Sequence, residues 1–218
     1  MEGGIYASGE RTGNRNMPLK IVCFGDSITE GAEFPEHLRW PSHLQGMLNK
    51  KEPDHYRIYN RGVGGDTTSQ AFDRFYDDVF PLLPAMVLVQ FGFNDANVKD
   101  WAKVPRVSLK EFVRNLTEFH RIINRWGGTC VFIINHTIGD VTGLQGNKLP
   151  YKNNVEPYNQ AIRSLAVELD AAYIDLPELM IQRGFSQDEF LSLDLLHLSL
   201  EANEWYASMV YQGLLQQA

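Results

Sequence analysis

Residues 19–29 have the sequence LKIVCFGDSIT, and this stretch decides the fold. Apart from Lys20, the run Leu19 to Phe24 is apolar, so a strand formed there would be buried on both faces. The apolar run stops at GDSIT (25–29), which brings small and polar side chains directly after the strand. Strands buried on both faces are typical of parallel sheets that carry helices on either side.

The same pattern continues outward from this first strand. Short apolar runs predict four more strands, at 56–59, 86–91, 129–134 and 172–174. Stretches with apolar residues at helical spacing predict the main helices, at 40–50, 67–79, 108–127, 154–169 and from 199 onward. We therefore predict an α/β fold, a three-layer α/β/α sandwich around a five-stranded parallel sheet.

Local signals mark the ends of two of these helices. Ser108 and Glu111 form an S-x-x-E capping box, in which each side chain is expected to bond the other residue's backbone N–H. Gly127 supplies the left-handed residue that ends the same helix. We predict that Asn154 caps the following helix, with Pro157 in its first turn, where proline is tolerated.

The composition is that of one ordinary globular domain. The chain has 218 residues, of which 44% are hydrophobic and 22% charged. The net charge of -7 argues against nucleic-acid binding, which needs a basic surface, and against docking on an anionic membrane. No apolar run approaches the roughly 20 residues needed to cross a bilayer. We expect a small-molecule substrate, with no nucleic-acid partner and no membrane insertion.

The bounds of the domain and its cellular location are interpreted from the N-terminal residues and the cysteines. Residues 1–16 are interpreted as an N-terminal extension, disordered or derived from a tag, and residues 17–218 as a single domain. The extension contains no apolar segment typical of a secretory signal. Cys23 and Cys130 each lie in an apolar run, which predicts two buried thiols and no disulfide. The resulting expectation is a cytoplasmic protein.

Polar and glycine-rich segments lie next to the predicted strands. GDSIT (25–29) follows the first strand, NRGVGGDT (60–67) the second and GFND (92–95) the third. The segment DLLH (194–197) lies in the loop before the last helix. Because ligands bind beyond the carboxyl ends of strands in such sheets, we expect the four segments to meet in one crevice.

These residue types suit nucleophilic catalysis at an acyl group. A serine hydroxyl such as that of Ser27 is a weak nucleophile until a base takes its proton. Histidine fills that role near neutral pH, and a carboxylate holds its ring in the right tautomer. Asp194 and His197 have the residue types of such a pair. A developing oxyanion needs hydrogen-bond donors, and Gly65 and Asn94 are placed to supply them.

In this order, the four segments resemble the four sequence blocks of the SGNH, or GDSL-like, hydrolase superfamily. Any one block recurs by chance, but the ordered set from Gly25 to His197 is specific and spans most of the chain. The resemblance implies an SGNH, flavodoxin-like sandwich and a serine esterase that forms an acyl-enzyme. It implies Ser27 as nucleophile and first oxyanion donor, His197 as base and Asp194 as its partner. Asn94 and a glycine of the second block would be the other donors.

The sequence departs from the family pattern at three places. Ile28 replaces the leucine of G-D-S-L, which is a conservative change. The second block leaves Gly62, Gly64 and Gly65 open as the donor, and we choose Gly65 because it leads directly into a helix. Leu195 stands where many members have glycine after the aspartate, which affects the expected geometry of that loop.

Other interpretations of the same residues fit less well. Ser27 alone could simply cap a short helix. The glycines of 62–65 could bind phosphate, but neither G-x-x-x-x-G-K-[ST] nor G-x-G-x-x-G is present. An α/β-hydrolase would need a G-x-S-x-G elbow, and Thr29 breaks that pattern. A catalytically idle binding module of the same fold is a remote alternative.

Five residues are candidates for lining the pocket, with a place in the core or at the surface as the alternative for most: Asp26, Trp40, Phe93, His136 and Tyr151. No group of ligating residues has metal-site spacing, so neither a metal nor a cofactor is expected. Activity should therefore need no metal, and it should rise with pH through an apparent pKa near neutrality.

The predicted substrate is a carboxylic ester with a short acyl group, acetyl to butyryl. The candidate pocket loop, 135–154, mixes polar and scattered apolar residues and has no amphipathic period, so it does not predict an apolar lid. The alternatives are a carbohydrate O-acetylesterase, a lysophospholipase and a thioesterase.

Overall fold

The run LKIVCFG forms the first strand of a parallel sheet, as its apolar pattern predicts. The structure, a computed structural model, describes residues 17–141 and 143–216. The predicted N-terminal extension, 1–16, lies outside the described residues. The described strands form one five-stranded parallel sheet in the order β2-β1-β3-β4-β5. Their bounds are β1 Leu19–Gly25, β2 Tyr56–Gly62, β3 Met86–Gln90, β4 Thr129–Ile134 and β5 Ala172–Asp175.

Helices cover both faces of this sheet, which confirms the three-layer α/β/α sandwich. Their bounds are α1 Ser27–Glu30, α2 Trp40–Lys51, α3 Thr68–Asp78, α4 Phe93–Ala96, α5 Leu109–Arg125, α6 Tyr151–Glu168, α7 Leu176–Arg183, α8 Gln187–Phe190 and α9 Leu200–Gln216. The helices α3, α5 and α6 pack together on one face, and α2, α7, α8 and α9 on the other.

Aromatic packing fixes β1 between the two helix layers. Phe24 is fully buried, and its ring lies 5.7 Å from that of Phe75 on α3 and 5.4 Å from that of Phe119 on α5. On the other face, Trp40 at the start of α2 packs against Tyr206 of α9 with ring centroids 5.0 Å apart. The end of β1 is therefore held by side chains from both layers, where rigidity is most useful to a site.

Strand β2 runs further than the sequence indicates. It was predicted to end at Tyr59, but parallel pairing with β1 continues until Gly62 lies opposite Gly25. Part of the second glycine-rich segment is therefore inside the strand and not after it. The reason is close packing, because a β-carbon at Gly62 would collide with the backbone nitrogen of Glu30.

Two predictions about helix ends are wrong in detail. Helix α6 begins at Tyr151 after Pro150, so Pro157 lies inside the helix and not in its first turn. Asn154 does not cap it, because it lies inside the helix, where its side-chain oxygen accepts from Asn147 Nδ2 at 2.8 Å.

The capping box at the start of α5 is only half formed. The Ser108 hydroxyl accepts the Glu111 N–H as predicted, at 3.3 Å. The Glu111 carboxylate does not return the bond, because it accepts from Ser69 at 3.2 Å and from Arg114 at 3.4 Å. Gly127, with φ of +72°, ends the helix in the left-handed conformation as predicted.

The strand order places a crevice beside β1. The chain leaves β1 for β2 on one side and later returns to pair β3 on the other side. Loops that leave neighbouring strands in opposite directions open a gap at the carboxyl edge, where ligands bind in such sheets. The segments that follow β1 and β3 therefore lie on either side of this gap.

Candidate active site

Ser27 is held at the beginning of a short helix that starts where β1 ends. Asp26 caps α1, since its carboxylate accepts the Ile28 N–H at 3.0 Å. The helix ends after one turn at Gly31, whose φ of +61° suits glycine. Ser27 is therefore the first helical residue, and a backbone N–H at that position has no acceptor within the helix.

The structure brings Ser27, His197 and Asp194 into one line. His197 Nε2 lies 2.9 Å from Ser27 Oγ, although the two residues are 170 positions apart in the chain. On the other side of the ring, His197 Nδ1 lies 2.5 Å from Asp194 Oδ2. A carboxylate only accepts, so Nδ1 carries the proton and Nε2 presents its lone pair to the serine hydroxyl.

Hydrogen bonds keep Asp194 ionised. Its Oδ1 accepts from Ser192 Oγ at 2.7 Å and from the backbone N–H groups of Leu196 and His197 at 3.0 and 2.9 Å. Partial burial alone would raise the pKa of Asp194, but the bonds from His197, Ser192 and the backbone outweigh it and hold this pKa well below its usual range. The carboxylate is thus a permanent acceptor for the His197 ring.

Leu195 occupies a backbone conformation that glycine adopts more easily. Its φ is +60°, in the left-handed region, within the turn that presents both Asp194 and His197. Its side chain fits because Gly139 lies opposite, where a β-carbon would come 2.9 Å from Leu195 Cβ. The departure from the family's glycine therefore leaves the turn intact, at some local strain.

Two further bonds attach this turn to the loop after β4. The N–H of Gly139 donates to the Leu195 carbonyl at 2.9 Å, and His136 Nε2 lies 2.9 Å from the Leu196 carbonyl. Burial lowers the pKa of His136 to about 4, so the ring is neutral near pH 7 and Nε2 carries its hydrogen. His136 thus supports the backbone of the turn.

The glycine segment forms a tight turn beside Ser27. Asp66 N–H donates to the Val63 carbonyl at 3.3 Å, and Gly65 has φ of +81°, as required at the third position of a type II turn. A β-carbon at Gly64 would lie 3.9 Å from Ser27 Cβ, so the turn is next to the serine.

The three candidate glycines differ in what their N–H groups do. Gly62 N–H donates to Asn60 Oδ1 at 2.9 Å, and Gly64 N–H donates to the Glu30 carboxylate at 2.7 Å. Within the described part of the chain, no oxygen accepts the Gly65 N–H. Of the three donors left open by the sequence, Gly65 is the one with an N–H available to a ligand.

Asn94 lies on the other side of the crevice, in the turn of helix α4. Its Oδ1 accepts from Arg106 at 3.3 Å, and its Nδ2 lies 3.5 Å from Asp26 Oδ2, below Ser27. These contacts orient the amide with its N–H groups toward the serine side. The Tyr151 hydroxyl holds the same turn by donating to the Phe93 carbonyl at 2.6 Å.

The five candidates for lining the pocket have unequal positions. Asp26, Trp40, Phe93 and His136 are all buried, with at most 2% of their surface exposed. Trp40 donates its indole N–H to the Ile28 carbonyl at 2.9 Å, so it supports α1 from within the core. Tyr151 lines a cleft of about 360 Å³ whose other walls are residues 97–101, Val141 and residues 143–145.

Two residues around the site escape sequence reasoning. Glu30 holds the turn at Gly64, and Arg106 bonds the Gly65 carbonyl at 2.9 Å as well as Asn94. Glu30 lies three residues after Ser27, but no motif marks it. Arg106 lies in an irregular loop, where one surface arginine looks like any other until the fold brings its partners together.

No metal or membrane feature accompanies this arrangement in the residues that the structure describes. Among residues 17–141 and 143–216, no three His, Cys, Asp or Glu side chains are grouped so that they could hold a metal ion. The helices in those ranges include none that is both long and apolar enough to pass through a bilayer.

Comparisons with known proteins identify the family of this chain. Residues 23–205 match the model of the GDSL-like lipase/acylhydrolase family. An isoamyl acetate-hydrolyzing esterase 1 homolog from Bos taurus is 30% identical over 210 residues, which cover 88% of this chain and 80% of that protein. An acetylxylan esterase from Geobacillus stearothermophilus is 23% identical over 175 residues, covering 72% of this chain and 75% of the esterase.

The comparison with solved structures agrees with the three-layer fold. The crystal structure of the lipase/acylhydrolase from Enterococcus faecalis superimposes with a TM-score of 0.73 at 24% identity. The match covers 89% of this chain and 94% of that structure. The fold, the four ordered segments and the family match together confirm the resemblance read from the sequence. This chain therefore belongs to the GDSL-like lipase/acylhydrolase family and is a carboxylic ester hydrolase.

Proposed function

We propose that the protein is a serine esterase that forms an acyl-enzyme on Ser27 and prefers short acyl groups. The line from Ser27 through His197 to Asp194 is the observation that carries this proposal. In the first step, Oγ of Ser27 attacks the acyl carbon while His197 Nε2 takes the hydroxyl proton. His197 then gives that proton to the departing alcohol, and a water molecule releases the acid by the reverse sequence.

The tetrahedral intermediate would be stabilised by three donors. These are the N–H of Ser27 at the start of α1, the N–H of Gly65 and the side-chain amide of Asn94. The free Gly65 N–H supports this choice, since those of Gly62 and Gly64 are already used. A catalytically idle binding module would have no need for a base so close to a serine hydroxyl.

The preference for short acyl groups rests on the absence of an apolar lid. The described residues of the loop 135–150 form no helix, and Leu144 and Leu149 point away from the core, 59% and 45% exposed. Asp194 is half exposed, so the site is open to water. Each methylene of a long acyl chain left in water forgoes about 0.8 kcal/mol of burial.

Rates on p-nitrophenyl esters of increasing acyl length test this proposal. We expect kcat/KM to be highest from acetate to butyrate and to fall for longer chains, because the described residues of the loop 135–150 form no helical lid that would cover them. No jump in rate is expected on emulsified triglyceride. A rise that continued beyond octanoate, or activation at the emulsion surface, would contradict the short-acyl proposal.

The cleft beside Tyr151 favours one alternative, an esterase that removes acetyl groups from carbohydrates. Its lining includes Asn97, Asp100 and the indole of Trp101, which is 86% exposed. A flat exposed indole next to polar side chains suits a sugar ring, which has apolar faces and polar edges. A higher kcat/KM on acetylated xylo-oligosaccharide than on p-nitrophenyl acetate would select this alternative. No contact of the site favours a lysophospholipid or a thioester.

Activity is expected to rise with pH and then reach a plateau. His197 accepts the Ser27 proton only as a neutral ring, so protonation of the ring stops the first step. Asp194 contributes no step in the same range, because its pKa lies well below its usual value and it stays ionised. The measurement is kcat/KM for p-nitrophenyl acetate between about pH 5 and pH 8, with a chelator present in a parallel series.

Asp26 provides the control for this profile. Burial raises the pKa of Asp26 to about 7, within the measured pH range. The Asp26 carboxylate interacts with His197 only through its charge, because its hydrogen bonds are with Ile28, Asn94 and Gln90. The acid limb should therefore persist in Asp26→Asn. If the acid limb disappeared in Asp26→Asn, the limb would belong to Asp26. If a chelator abolished activity and added metal restored it, the proposed metal-free mechanism would be contradicted.

A further inference from the structure

Arg106 connects the two sides of the crevice from outside. Its Nη1 donates to the Gly65 carbonyl at 2.9 Å and to Asn94 Oδ1 at 3.3 Å, and its Nη2 donates to Gln70 Oε1 at 2.8 Å. We propose that Arg106 is a positioning residue that sets the spacing of Gly65 and Asn94 and the orientation of the Asn94 amide. This inference rests on the proposed role of both residues as oxyanion donors.

The backbone of Arg106 is fixed although its side chain is exposed. Arg106 N–H donates to the Asn97 carbonyl at 3.0 Å, and the next residue, Val107, donates to the Asp95 carbonyl at 3.2 Å. Val107 is buried, and its carbonyl accepts the Tyr158 hydroxyl at 2.5 Å. The guanidinium therefore starts from a rigid point, so holding it costs less side-chain entropy than a free surface arginine would lose.

A second connection lies beneath the first. The carboxylate of Asp95 accepts the backbone N–H of Thr68 at 2.9 Å and its hydroxyl at 2.5 Å, all within the core. The segment that contains Gly65 is thus attached to the segment that contains Asn94 from below by Asp95 and from above by Arg106. Asp95 fixes the backbones, and Arg106 is the one of these two connections that contacts the Asn94 side chain, at its amide oxygen.

The orientation of the Asn94 amide is what Arg106 controls. An arginine only donates, so the oxygen of the amide must face it, and the nitrogen then faces Asp26, the residue before Ser27. Without the guanidinium the amide could rotate and present its oxygen to the crevice, where it would repel a developing negative charge. The planar guanidinium of Arg106 donates to three oxygens at once. Lysine, which has one ammonium group on a flexible chain, cannot reproduce this arrangement.

The test is a set of variants assayed on p-nitrophenyl acetate. We expect Arg106→Gln to lower kcat on the order of tenfold with KM changed less than about twofold, because the donors act in the transition state; displacing catalytic groups by about 1 Å can cost up to about 100-fold. Arg106→Lys should recover only part of the loss. Arg114→Gln is the matched control, since Arg114 is an exposed arginine paired only with Glu111 in the described structure.

A double-mutant cycle separates positioning from a general effect on the fold. In the Asn94→Ala background, Arg106→Gln should cost no more than about threefold, because the amide that it orients is gone. An equal loss in both backgrounds, full activity of Arg106→Lys, or Arg106→Gln as active as Arg114→Gln would overturn the inference. Melting temperatures of all variants are measured alongside.

The same assay distinguishes this failure from failure of the proposed function. If Ser27→Ala and Asn94→Ala were as active as the unmodified protein, the esterase mechanism would be wrong and the role of Arg106 with it. If both were impaired while Arg106→Gln kept full kcat, only the inference about Arg106 would be lost.

Discussion

Replacing Ser27 with alanine is expected to abolish ester hydrolysis, with a loss of kcat on the order of 10⁵- to 10⁶-fold. The substitution removes only the hydroxyl group, whose described contact is with His197 Nε2 at 2.9 Å. No bond that holds β1 or α1 depends on it, so the melting temperature should be unchanged. The measurement is kcat on p-nitrophenyl acetate together with thermal unfolding by circular dichroism.

Two controls sharpen this result. His197→Ala added to Ser27→Ala should cost little more, because residues that act as a unit lose their effect together. Ser164→Ala removes an exposed serine of α6 and should leave activity unchanged. Substantial activity in purified Ser27→Ala, or an equal loss in Ser164→Ala, would refute the nucleophilic role of Ser27.

The next largest effect is expected from Asn94→Ala, a loss of about 10²- to 10³-fold in kcat with KM little changed. The amide would bond an oxyanion that exists only in the transition state, so its removal leaves the binding of the ester almost untouched. Because Arg106 already satisfies the amide oxygen, the alanine variant also leaves one guanidinium bond without its acceptor.

Asn124→Ala is the matched control for that variant. Asn124 is an exposed asparagine at the end of α5 whose amide contacts His120, so its loss should not affect turnover. Separate determination of kcat and KM on p-nitrophenyl acetate decides the point. A rise in KM with kcat preserved would make Asn94 a substrate-binding residue and remove it from the oxyanion hole.

The sheet could be predicted from the sequence because each strand carries its own evidence. A run such as Thr129–Ile134 is apolar at nearly every position, and burial on both faces leaves a parallel sheet as the solution. The polar segments at the ends of these strands predict that Ser27 and Asn94 lie near one another, because the carboxyl ends of neighbouring parallel strands share an edge.

What the sequence could not predict depends on contacts between distant residues. Asn154 has the chemistry of a helix cap, but it lies inside α6 and Asn147 of the preceding loop donates to its side-chain oxygen. Glu111 is one bond short of a capping box because Ser69 from α3 lies nearby. Arg106 acquires a role only when Gly65 and Asn94 are brought to either side of it. Propensity describes a segment alone, and these outcomes are set by neighbours.

The long separation of Ser27 from His197 has a consequence for the newly made chain. Ser27 is synthesised with β1, whereas His197, its proposed base, follows 170 residues later, just before α9. Helix α9 packs on α2, where Asn203 accepts the Trp40 N–H at 3.0 Å, and Trp40 in turn supports α1 beneath Ser27. Under the proposed mechanism, Ser27 has no base until the segment before α9 is in place. We therefore expect a chain that ends before His197 to show no ester hydrolysis, even where β1 and α1 have formed.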